Sequence, residues 1–202
     1  MKSQDIGLLL KLESMRRLEL NPHRKQLMAW PHDWQDWSSH EHDSDADNSA
    51  NYSTRWLEQL TGISKSQINL SIRRCIDCGL ARYDRKTGAP RANTPVLLEF
   101  IVHGLKYVFP VRPGTLTRGI ATAYSAPVLQ MKLLSAGEMK LVWPNALGNT
   151  TGLAIEPLFN SVDIAIRNDP ELYATLSLAD AIRVGQPRES QVAQAKLREI
   201  LL

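Results

Sequence analysis

The stretch SKSQINLSIRRC, residues 64–75, places hydroxyl, amide and guanidinium side chains within about three helical turns. At 100° per residue, Ile68, Ile72 and Cys75 fall on one side, and Ser66, Leu70, Arg73, Arg74 and Asp77 on the other. Short polar groups near the start of a helix are what the major groove of a nucleic acid duplex admits. Gln67 or Asn69 can pair bidentately with adenine, Arg73 with guanine, and Leu70 can meet a thymine methyl, with Ser66 beside them. Lys65, Arg74 and Thr54 suit phosphates, as do Arg82, Arg85, Lys86 and Arg91 further along. The alternative is the solvated face of a module that binds no nucleic acid. An apolar Leu70 on the outward side and the recurrence of bases after the helix weigh against it.

Other chemistries find less support. No nucleophile with a nearby base, paired carboxylates or phosphate-cradling glycine loop occurs at recognisable spacing, so no enzyme activity and no cofactor are expected. Asp43, Asp45 and Asp47 match positions 1, 3 and 5 of a calcium loop, but Asn48 replaces its glycine and Thr54 its bidentate glutamate. His40 and His42 are read as part of the same solvated loop, and no metal site is expected. Cys75 and Cys78 form a single C-x-x-C without further ligands and are expected to stay reduced, at least one as core packing. Trp30, Trp34 and Trp37 recur at helical spacing and are read as core or dimer packing. His103 is expected to be packed or hydrogen-bonded. Arg112 and Arg118 in RPGTLTRG can hold an anion, and Tyr124, Ser125 and Trp143 can line an effector pocket; a Gly/Pro-rich connection between core strands explains the same residues.

The elements that must position these groups follow from local signals. A first helix begins near Ser3 and carries Ile6, Leu9, Leu10, Leu12 and Leu18. An acidic, small-residue loop near residues 38–51 precedes a helix capped by Ser53, which buries Trp56, Leu57 and Leu60. Gly62 turns the chain, Ser64 caps the next helix (64–78), and Gly79 ends it. LARYDRKTGAPR starts like a strand and turns at Thr87-Gly88. TPVLLEFIVHGLKYVFPV begins as a helix with Pro95 in its first turn and is expected to become extended before Pro110. Short strands follow, then a helix from Asp169-Pro170 to Gly185 and a last amphipathic helix.

Charge follows the same division. The net charge is +3, but residues 31–51 carry six Asp/Glu and no Lys/Arg, whereas residues 53–91 carry eight Lys/Arg and three Asp/Glu. The basic excess marks the helical pair and the segment after it as the place where a polyanion docks. At 202 residues and 43% hydrophobic the chain builds a substantial core, and no apolar run approaches the roughly 20 residues that span a bilayer. IGLLLKL is too short and too soon followed by charge to act as a signal segment, so a cytoplasmic location without membrane contact is expected.

A helix, then a helical pair joined by LTGIS, a polar-basic helix, GL and a basic hairpin resembles the bacterial winged helix-turn-helix regulators with a MarR-like DNA-binding domain, over roughly residues 1–92. The region from LLEFIVHGLKYVFP through ADAIRVGQPRE resembles uncharacterised bacterial helix-turn-helix proteins. The resemblance implies an α+β, mainly helical chain: a winged helix-turn-helix (1–92) and an α+β C-terminal domain (93–202) that ends in helices and serves dimerisation, effector sensing or partner binding. It further implies a sequence-specific regulator of transcription, most simply a homodimeric repressor on double-stranded DNA. The competing expectation is an antitoxin or adaptor that binds a partner protein through residues 93–202 and uses the helix-turn-helix for autoregulation.

Overall fold

Between Asp5 and Ser14 every residue of the first helix, α1 (Ser3–Leu20), is buried, the polar Asp5, Lys11 and Glu13 included. A helix enclosed on all sides is a central element and not a surface one, so the stripe expected from Ile6, Leu9, Leu10 and Leu12 is only part of what it buries. In the computed structural model, which describes residues 1–21, 52–130 and 139–202, α1 packs against α3 (Lys65–Asp77), the second strand of a short hairpin and α8 (Pro170–Val184). The acidic loop, His40, His42, the calcium-like run and Trp30, Trp34 and Trp37 lie outside the described residues.

The helical pair forms as its local signals require. The Ser53 hydroxyl accepts the Trp56 amide at 3.3 Å to open α2 (Thr54–Thr61). Gly62 closes it at φ 67°, a left-handed conformation that strains any residue with a Cβ. Ser64 is the N-cap of α3, although its hydroxyl faces the Ser66 hydroxyl at 3.4 Å and leaves the helix amides to other groups. Strands β1 (Ala81–Tyr83) and β2 (Pro90–Ala92) pair antiparallel with Arg82 opposite Arg91, and Gly88 at φ 68° supplies the turn.

The next helix overruns the sequence expectation. The helical turns of α4 (Thr94–Glu99) pass through a π-turn (Phe100–Gly104), in which the Leu105 amide donates to the Phe100 carbonyl, into α5 (Leu105–Val108). Leu97, Leu98, Ile101, Val102 and Leu105 are all buried at helical spacing, so the apolar run is a core helix and not an extended segment. His103, expected to be packed or hydrogen-bonded, lies at the surface with its Nε2 3.3 Å from Glu99.

Three short strands, β3 (Leu116–Ala121), β4 (Leu141–Pro144) and β5 (Thr150–Ala154), each pair with both others and close on themselves. Closure this tight needs glycine where backbones meet. A Cβ on Gly119 would overlap the Trp143 carbonyl, and one on Gly152 the Lys140 carbonyl. Helix α6 (Pro127–Gln130) and α7 (Val162–Ile166) are short; α8, capped by the Asp169 carboxylate on the Leu172 amide at 2.9 Å, is buried from Glu171 to Ile182 and packs on α9 (Pro187–Leu201). The architecture is α+β and mainly helical, with two enclosed helices, α1 and α8, at its centre. Packing is continuous at residue 92: Ile6, Leu57, Ile68, Leu97, Trp143, Leu176 and Leu197 belong to one apolar cluster. Among the described residues no helix is long and apolar enough to cross a membrane.

Candidate nucleic-acid interface

Ile68, Ile72 and Cys75 anchor α3 in the core, with relative exposures of 0, 7 and 0%. The helix therefore turns Lys65, Ser66, Asn69, Leu70, Arg73 and Asp77 to solvent. Leu70 stands 45% exposed among polar groups. Thr54, at the start of α2, is half-buried. On the hairpin, Arg82 and the turn residues Arg85 and Lys86 are exposed, as is Tyr83, which the sequence reading passed over.

Cations outnumber acids in this region, and two of its three acids, Glu58 and Asp84, accept from nearby backbone amides, whereas Asp77 is exposed. Glu58 accepts the Lys65 amide at 3.2 Å and lies 3.6 Å from the Lys65 ammonium, partly offsetting it. Asp84 accepts the Thr87 and Lys86 amides, each at 2.9 Å; these turn bonds hold its carboxyl below the usual carboxylate range. Asp77 lies at the far end of α3 from Ser66. Among the described residues Arg73, Arg82, Arg85 and Lys86 form no ion pair.

Two residues expected at phosphates, Arg74 and Arg91, are paired within the chain. Arg74 donates to both oxygens of the fully buried Asp5, Nε to Oδ2 at 2.9 Å and Nη2 to Oδ1 at 2.6 Å, and so joins α3 to α1. Burial alone would raise the Asp5 carboxyl, but Arg74, the Lys2 amide and the Ser71 hydroxyl outweigh it and hold the carboxyl low. Arg91 pairs with Glu19 at 3.0 Å, donates to the Tyr52 hydroxyl and lies over the Tyr52 ring, 4.5 Å from its centroid. Gln67 is half-buried, its side-chain oxygen accepting from Gln4 at 3.3 Å. No local signal announces these bonds, because Asp5, Glu19 and Gln4 are all far away in sequence.

Of the residues expected to line an effector pocket or hold an anion, Trp143 and Ser125 are buried, Tyr124 is half-buried, and Arg112 and Arg118 are exposed. Trp143 is 2% exposed, and its indole donates to Asp180 at 2.6 Å. Arg118 donates to the Gly148 carbonyl across the strand closure, and the Tyr124 hydroxyl to the Met139 carbonyl at 3.1 Å. Asp180 also accepts from Thr122 and Arg183; burial outweighs these donors and pushes its carboxyl up. Through Asp180, Trp143 and Thr122 tie α8 to β4 and to the end of β3, whereas Arg118 is exposed and Tyr124 half-buried. Among the described residues no group of three His, Cys, Asp or Glu is placed to hold a metal. Cys75 and Cys78 are free thiols, Cys75 buried and pushed up to about 12 by that burial, Cys78 exposed. No protein-family model matches the chain, and no significant likeness to a curated protein or a solved structure was found.

Proposed function

We propose that the chain is a sequence-specific double-stranded DNA-binding regulator of transcription, with α3 lying in the major groove and the β1–β2 hairpin beside it as a wing. The observation that carries this reading is the exposed face of α3 bearing Ser66, Asn69, Leu70 and Arg73, together with Arg82, Arg85 and Lys86 exposed on a hairpin whose first strand packs against α3. Among the described residues three helices precede the two-stranded hairpin, an order that supports the same reading because a winged helix-turn-helix has it. Asn69 would read adenine, Arg73 guanine and Leu70 a thymine methyl. Lys65, Thr54 and the hairpin cations would meet phosphates. One such helix contacts few base pairs, so a homodimer on a pseudo-palindrome, acting most simply as a repressor, completes the proposal.

The test is selection of duplexes from a random pool by the full chain, followed by binding of the enriched and a scrambled duplex at stated salt. Arg73→Ala is expected to weaken binding to the enriched duplex by about 1–3 kcal/mol and to relax preference at one base position. Equal, weak binding to all sequences, unchanged by Arg73→Ala, refutes the reading.

A further inference from the structure

The flank of α3 is as polar as its exposed face, yet it is closed. At 100° per residue Gln67, Ser71 and Arg74 fall within about 60° of one another, on an arc roughly 100° from the core stripe of Ile68, Ile72 and Cys75. All three are bonded to the first turn of α1: Gln67 to Gln4, and Ser71 and Arg74 to Asp5, whose two oxygens receive Ser71 Oγ at 2.6 Å, Arg74 and the Lys2 amide. An apolar stripe alone leaves a helix free to roll by the play of its packing. A second set of directional bonds, set roughly a quarter-turn away, removes that freedom.

The same contact decides which cations a phosphate backbone meets. Arg73 and Arg74 are neighbours of identical chemistry, but Arg73 is exposed and unpaired among the described residues, whereas both Arg74 donors that face Asp5 are engaged. We propose that Asp5 is a positioning residue for DNA recognition: by holding Ser71 and Arg74 against α1 it fixes the roll of α3 and keeps Arg74 off the phosphate backbone. This rests on the DNA-binding reading above. A cation fixed to a buried carboxylate adds no sequence-independent affinity, so withholding it raises the contrast between the preferred duplex and any other.

The experiment measures binding of the full chain to the enriched and the scrambled duplex across a salt series, with Arg74→Gln, Asp5→Asn and Arg73→Ala compared with the native chain. Arg74→Gln is expected to lower the enriched-to-scrambled ratio about tenfold, in the range by which non-contacting residues tune coupling, and to leave the slope of log affinity against log salt unchanged. Asp5→Asn frees Arg74 and is expected to lower the ratio while steepening the slope on the scrambled duplex by about one. A slope made shallower by about one in Arg74→Gln, with both duplexes weakened alike, identifies Arg74 as a phosphate contact and overturns the proposal. A native ratio in Arg74→Gln overturns it too; circular dichroism establishes that each variant is folded, and if Asp5→Asn is not, the Arg74→Gln arm decides alone. An enriched duplex that depends on Arg73 but not on Arg74 sinks this inference and spares DNA binding, whereas failure to enrich any duplex sinks both.

Discussion

Changing Asp169 to Asn isolates a single charge contact between the two halves of the chain. Asp169 Oδ1 accepts both the Leu172 amide that caps α8, at 2.9 Å, and the Ser14 hydroxyl, at 2.7 Å, while Oδ2 accepts Lys11 Nζ at 2.8 Å. An asparagine keeps Oδ1, hence the cap and the Ser14 bond, and turns an NH2 toward a Lys11 ammonium whose side chain is 6% exposed. A buried cation left without its partner costs about 3–5 kcal/mol. In a chain of this length that lowers the melting temperature by roughly 10 °C, at about 2–4 °C per kcal/mol. Replacing both partners, Lys11→Met with Asp169→Asn, removes the stranded charge and is expected to return stability to within about 2 kcal/mol of the native chain. Burial alone would raise the Asp169 carboxyl, but Lys11, Ser14 and the Leu172 amide hold it below 3.8. Its contribution is therefore present above about pH 4 and is lost as pH falls through the lowered value, so the native and Asp169→Asn chains converge in acid. Thermal and urea unfolding followed by circular dichroism measure these effects, and because Lys11 and Asp169 lie on opposite sides of residue 92 each should show one transition. A single variant within about 1 kcal/mol of native, or a double variant as unstable as the single, would refute the reasoning.

Three further outcomes follow from the same geometry. Gly119→Ala, whose Cβ overlaps the Trp143 carbonyl, is expected to lose about 2–3 kcal/mol in urea, whereas Gly114→Ala, whose Cβ would lie 3.5 Å from the Ala154 carbonyl oxygen, should be near neutral; equal losses would discount the strand closure. A thiol reagent at pH 8 should modify one cysteine in the folded chain, Cys78, and the second only in denaturant, since burial raises Cys75 to about 12; two equivalents in the folded state would contradict its burial. Ser53→Ala removes the bond to the Trp56 amide and should cost about 1 kcal/mol in thermal unfolding, with Ser53→Gly costing less.

What the sequence determined by itself is what depends on neighbours within a few residues. Ser53, Gly62, Thr87-Gly88 and Asp169-Pro170 mark ends and turns, because a cap or a left-handed turn is satisfied inside its own four or five residues. The inward stripe of Ile68, Ile72 and Cys75 was legible for the same reason: helical periodicity alone sets it. Where local signals conflict or fall silent, tertiary structure decided. IVHGLKYVF suits a strand or a buried helix, and only packing of Ile101, Val102 and Leu105 made it helical. Nothing near α1 foretold that α8 and α3 would enclose it, or that Trp143 would point inward to Asp180. Arg73 and Arg74 make the division plainest. Composition and spacing treat them alike, but a helix turns adjacent side chains 100° apart, and a carboxylate 69 residues away holds one of them while the other stays open to solvent.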